Sequence, residues 1–163
     1  MKRIKILSKI LMVCSVAVQL FSSDNYLDID ANKFEANENK NIIYFKGDVK
    51  MKKNKDILKC QLLVINTKKT KLNKQVPVNY KATGNVSFTI TTKKTLFKGR
   101  GDTVFYYPNE QRYIIVGNGY LKDTKEGKEI KAYKIFIDEK TGHTKIDGNL
   151  NKPVKFRLKL GDN

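Results

Sequence analysis

Four times along this chain a small residue is followed, three and five places later, by apolar residues, then by a turn and a second apolar run that reaches glycine. The small residues are Ala31, Cys60, Gly101 and Ala132, and the glycines are Gly47, Gly84, Gly117 and Gly148, each followed by Asn or Asp. The spacings from small residue to glycine are 16, 24, 16 and 16 residues. The apolar pairs are Phe34 and Ala36, Leu63 and Ile65, Val104 and Tyr106, and Ile135 and Ile137. Positions two apart share one face of a strand, so each unit reads as a β-hairpin with one apolar side.

The turns agree with this. Asn37 to Asn41, Pro108 to Glu110 and Glu139 to Gly142 fall between the two apolar runs of their units, where turn-forming residues belong. The second unit's extra eight residues fall in the same gap, from Lys68 to Pro77, and are expected to enlarge the turn. Apolar alternation continues in phase across the glycine, as in Phe45, Gly47, Val49 and Met51, which favours a bulge or sharp bend over a hairpin turn at Gly-Asn.

Strands are expected over 26–36, 42–51, 57–66, 78–91, 96–107, 113–121, 130–138, 143–150 and 154–160. Residues 57–66 are apolar on both sides, which suggests a strand covered on both faces or near a subunit contact. No mature segment holds a helical apolar period, so the fold class is all-β. Hairpins with one apolar face bury it in a sandwich, a closed barrel or a stack; stacked hairpins leave a free edge at each end, open to head-to-tail pairing.

The N-terminus has the layout of an export signal. Lys2, Arg3 and Lys5 precede the apolar stretch Ile10 to Phe21, and Ser22, Ser23 and Asp24 follow it. Twelve helical residues would span roughly 18 Å, short of a bilayer core of about 30 Å. Residues 1–23 are therefore expected to be a cleaved signal peptide and 24–163 a single domain, with an uncleaved anchor as the alternative. The leader holds four of the 33 basic and none of the 16 acidic residues, so the net charge falls from +17 to +13 on its removal. Such a charge points to polyanions as partners. Removing Cys14 leaves Cys60 without an internal disulfide partner, and its place in the repeat predicts a packing role.

Catalytic chemistry finds no foothold. His143 is the one histidine and is expected in a surface turn; no Cys/His cluster has zinc spacing, no glycine loop suits a phosphate and no serine sits in a nucleophile elbow. Neither enzyme activity nor a metal or other cofactor is expected.

The segments DIDANKFEANENKNIIYFKGDVKM, YKATGNVSF, GRGDTVFYYPNEQRYIIVGNGYL and IKAYKIFIDEKTG resemble the OstA-like periplasmic family, over roughly residues 27 to 158. Ala-Asp is usual in that family where this chain has Cys60-Gln61 and Gly101-Asp102; the second position varies, with Asn32 and Tyr133, and receives no role here. The resemblance implies a twisted antiparallel β-jelly roll, open at both ends, whose apolar interior holds the acyl chains of lipopolysaccharide or lipooligosaccharide in the periplasm. It also implies subunits pairing edge to edge between an LptC-like inner-membrane component and an LptD-like outer-membrane component. Candidate lining residues are Phe34, Phe45, Met51, Leu63, Ile65, Phe88, Val104, Tyr106, Ile115 and Ile137, and Lys52, Lys53, Lys55, Lys93 and Lys94 are candidates for the head-group rim. The competing readings are the membrane-anchored component of the same pathway, a basic binder of nucleic acid or another polyanion, and a structural β filament. The export signal disfavours nucleic acid as a partner.

Overall fold

The computed structural model describes residues 26–91 and 95–161. The expected signal peptide, Cys14, Lys93 and Lys94 lie outside the described residues. Ten strands form one sheet: β1 (Leu27–Asp30), β2 (Lys33–Asn37), β3 (Ile42–Lys53), β4 (Asp56–Lys69), β5 (Gln75–Thr91), β6 (Leu96–Tyr107), β7 (Arg112–Asp123), β8 (Glu129–Asp138), β9 (His143–Asp147) and β10 (Lys155–Arg157). Their order is that of the chain, every pairing is antiparallel, and β1 with β2, and β9 with β10, share the outer sides of β3 and β8. The sheet does not close, because its first and last strands do not pair with each other.

The repeat residues draw one line across this sheet. The ladder slips its register at Lys46/Val49, Lys59/Leu62, Thr83/Val86, Arg100/Thr103 and Val116/Gly119, beside Gly47, Cys60, Gly84, Gly101 and Gly117 in turn. On the glycine strands two consecutive residues are left-handed: Gly47 and Asp48 (φ 79° and 45°), Gly84 and Asn85 (82° and 49°), Gly117 and Asn118 (76° and 49°). Glycine enters this region freely, and Asn and Asp tolerate it better than other side chains do. Paired left-handed residues in β3, β5 and β7, each beside a register slip of the neighbouring strand, crease the sheet into two leaves. One leaf holds residues 33–46, 62–83, 103–116 and 134–147; the other holds 27–30, 49–59, 86–91, 95–100, 119–131 and 155–157.

The second position of the repeat has a role that its variable identity conceals. A side chain on Gly47 would meet Asn32 at 2.7 Å, one on Gly84 would meet Gln61 at 2.8 Å, and one on Gly117 would meet Asp102. In three units, then, the residue after the small one lies on the left-handed glycine of its own hairpin. Amides and carboxylates link these positions along the crease: Asn32 donates to Asp48 at 3.4 Å, Gln61 to Asp48 at 3.4 Å, and Asn118 to Asp102 at 3.0 Å. The fourth unit departs from this, because beyond Gly148 the chain turns at Asn149–Lys152 and then adds only the three-residue strand β10, Lys155–Arg157, beside β8.

The offset of three between small residue and first apolar residue is the sequence trace of the crease. Cys60 is buried with Leu63, Gly101 with Val104, and Ala132 with Ile135, so the inward positions change parity at the bulge. That change explains the two-sided look of residues 57–66: Leu58 and Cys60 face inward before it, Leu63 and Ile65 after it, and Leu62 and Val64 lie on the other face, half-buried. The extra residues of the second unit do not enlarge its turn. They lengthen the arms of β4 and β5, with Lys68 opposite Val76 and Lys69 opposite Gln75. His143 begins β9, exposed and tilted against Phe136 at 6.1 Å, and is not in the turn itself.

Candidate functional site: an apolar trough between two leaves

Cross-strand register turns the apolar pairs into continuous rows. Phe34, Phe45, Leu63, Ala82, Val104, Ile115, Ile135 and Ile146 lie opposite one another in sequence across the first leaf. A second row there runs through Ile43, Ile65, Tyr80, Tyr106, Tyr113 and Ile137. On the other leaf the row is Ile29, Met51, Leu58, Phe88, Gly99, Leu121 and Ile130. All ten residues predicted to line the interior fall in these three rows, and the leaves share one apolar cluster.

The interior is packed beside the crease and open farther out, with Leu63, Ala82 and Val104 at the boundary, buried and yet bordering the open part. Near the crease Leu63, Ile115 and Ile135 are fully buried, with Val49, Cys60 and Val86 packed beside them. Farther out the leaves part around a cavity of about 530 Å³, lined on one side by Met51, Leu58, Phe88 and Ile90 and on the other by Leu63, Tyr80, Val104, Tyr106 and Tyr113. Five of the ten predicted residues, Met51, Leu63, Phe88, Val104 and Tyr106, therefore border the cavity. Phe45, Ile65, Ile115 and Ile137 do not border it, and Phe34 lies at the open edge of the sheet, 64% exposed against Phe45.

Sequence reading missed Tyr80 and Tyr113. Tyr106 stacks on Tyr113 with centroids 4.4 Å apart and tilts against Tyr80 at 6.0 Å, forming an aromatic wall. Both sit where their units' return strands cross the +5 row, a position that only register reveals. Gly99 is the counterpart on the facing leaf: the Phe88 ring lies across it, and a Cβ there would collide with that ring.

Charge marks the mouth. Lys53, Asn54 and Asp56 of the β3–β4 turn border the cavity, while Lys52 occupies the alternate position and Lys55 is exposed in the turn. Burial holds the Tyr113 hydroxyl well above the usual tyrosine range, reinforced by the neighbouring Tyr106, Glu139 and Asp56. Glu139 is likewise raised, by burial and by Asp56. The trough is thus apolar along its walls and polar where it meets water. Cys60 lies at the crease, its thiol pushed up to about 11 by burial, with hydrogen bonds from the Leu62 and Thr83 backbone opposing the shift. The described residues contain no group of three or more His, Cys, Asp or Glu placed to hold a metal ion.

A sequence profile described as "LptA/(LptD N-terminal domain) LPS transport protein" matches residues 28–143, more than half of the chain. The chain belongs to this family. Membership places the chain among lipopolysaccharide transport proteins. Its fold is similar to that of LptH from Pseudomonas aeruginosa, described as the LptA homologous periplasmic component of the conserved lipopolysaccharide transport device. The TM-score is 0.70 at 12% identity, covering 83% of this chain and 96% of that one. No curated protein sequence matches the chain.

Proposed function

We propose that this LptA-like chain carries lipopolysaccharide or lipooligosaccharide through the periplasm, with acyl chains in the trough between the leaves. The observation that carries this reading is the apolar cavity itself: a water-facing protein leaves about 530 Å³ open between two rows of apolar side chains instead of closing it. Each acyl CH₂ withdrawn from water contributes about 0.8 kcal/mol, so a few carbons in contact with Met51, Phe88 and Tyr106 give useful affinity. Lys53 and the neighbouring lysines of the β3–β4 turn supply positive charge for phosphorylated sugars at the mouth.

Both edges of the sheet support a bridge. Tyr26 and Phe34 at the first edge, and Phe156, Leu158 and Leu160 at the last, are exposed at 69%, 64%, 54%, 47% and 81%. Unpaired edges with apolar flanks favour continuation of the sheet into another copy, or into LptC-like and LptD-like components at the two membranes. Residues 1–23 serve as the export signal in this reading, and mass spectrometry of the native N-terminus distinguishes cleavage from anchoring.

Photo-crosslinking in cells tests carriage. A photoreactive residue at Phe88, on the cavity wall, gives an adduct with the glycolipid, whereas one at Lys68, on an exposed arm, does not. Adducts with protein alone at Phe88 would reassign the chain to assembly.

A further inference from the structure

A second concavity lies on the opposite face of the sheet from the trough. It has a volume of about 580 Å³ and sits where β5 to β8 cross the crease, bordered at one end by Asn151, Lys152 and Pro153. Val86, Gly101, Gly119 and Ala132 are buried in the core at this level, and the alternate positions point the other way. Those alternate positions form one cross-strand row: Ser87, Arg100, Tyr120, Lys131 and Lys155.

The electrostatics of this row lack compensation. Lys131 and Lys155 are directly opposite each other, an arrangement of like charges that destabilises a sheet. Arg100 and Lys152 add two more cations, and Asp102 is the carboxylate bordering the groove. Asp102 is already engaged, since Asn118 Nδ2 donates to its oxygens at 3.3 and 3.0 Å. Among the described residues none of the four cations forms an ion pair, although Lys46, Arg112, Lys122, Lys128 and Lys145 do. Two of the four are held in place by neutral groups: Arg100 lies over the Tyr120 ring at 5.0 Å, and the Lys152 ammonium donates to Asn118 Oδ1 at 3.1 Å. A concavity with four convergent cations and a like-charge pair facing across one rung is arranged for an anion.

We propose that this groove binds a phosphorylated or carboxylated saccharide. Its volume is larger than a single phosphate requires, and Asn85, Ser87 and Asn151 offer amides and a hydroxyl suited to sugar hydroxyls. Nucleic acid fits less well, because the one aromatic ring in the groove is covered by Arg100 and leaves no base-stacking platform. The site does not depend on acyl carriage: groove and trough are on opposite faces of one sheet, so the anionic sugar belongs either to a glycolipid or to a free polysaccharide.

The test is titration of the full-length protein, at fixed salt, with an acyl-free phosphorylated oligosaccharide, its dephosphorylated form, inorganic phosphate and an acidic peptide. NMR signals of the Arg100 guanidinium and the Tyr120 ring report binding. Saturable shifts with the phosphorylated sugar, at least tenfold weaker in K131Q/K155Q and nearly unchanged in K68Q/K69Q, are expected. The first variant is also expected to melt no lower than the parent, because it relieves a repulsion. Intact glycolipid that moves these signals as well identifies the head group as a source, and acyl-free sugar acting alone identifies a free polysaccharide; either supports the site. Equal losses in the two double variants, equal binding of the dephosphorylated sugar, equal binding of inorganic phosphate or tighter binding of the acidic peptide would each overturn it.

Discussion

The crease end and the mouth end of the interior are built from the same rows of the same repeat, yet one is solid and the other hollow. At the crease, small residues on one strand and glycines on the next let the leaves meet, and Leu63, Ile115 and Ile135 are completely enclosed. Some residues farther along each strand the leaves have diverged, and even tyrosines do not fill the space. Whether a residue only packs or also borders the hollow therefore depends on its place in the sheet and not on its chemical type: Leu63 borders it while Ile115 and Ile135 do not.

That contrast can be broken by substitution. The largest effect is expected from Ile135→Ala, which should cost about 2–5 kcal/mol through the cavity left in a site unable to collapse. A shift of the urea midpoint measures it, and amphiphile affinity of the folded protein should not change. Next is Gly84→Ala, which places a side chain at φ 82° and within 2.8 Å of Gln61. The left-handed backbone alone costs about 1–2 kcal/mol. Adding Gln61→Gly should recover the steric part; no recovery would show that this contact does not restrain the crease.

Tyr106→Ala sharpens the comparison from the other end. Half-buried on the cavity wall, it should cost about 1 kcal/mol of stability but weaken binding of a fluorescent fatty amphiphile by roughly tenfold. If it destabilises the protein as much as Ile135→Ala does, the distinction between packed and hollow ends fails. At neutral pH the smallest effect concerns Cys60, whose thiol is pushed up to about 11 by burial and which therefore shows itself only in alkali. A raised folded pKa stabilises fully below the unfolded value of about 8.5 and is lost as pH rises through the folded one, so stability should decline between those pH values. Native protein at pH 8 should react with a thiol reagent far more slowly than unfolded protein.

Much of the fold was legible because a strand's period of two leaves a direct trace in residue order. Phe34, Leu63, Val104 and Ile135 mark one row of the sheet, and the glycines 47, 84 and 117 mark one line across it. The hidden parts involve partners far apart in sequence. Nothing in residue order distinguishes Ile115, fully enclosed, from Tyr113 two places before it on the cavity wall. Nor does it show that Asp102 lies on Gly117 or that Lys131 meets Lys155. The parity change at Cys60 was written in the offset of three, but that offset acquires meaning only once bulges on neighbouring strands are seen to align.

Sequence alone determined that this chain is a series of hairpins with one apolar face each, because alternation, turn residues and left-handed glycines act within a few residues of one another. Tertiary structure alone decided where the leaves touch and where they part, since that depends on how bends in the six strands β3 to β8 add up. Local conformational preference specifies each bend. The hollow, and the charged groove behind it, result from all of the bends acting together.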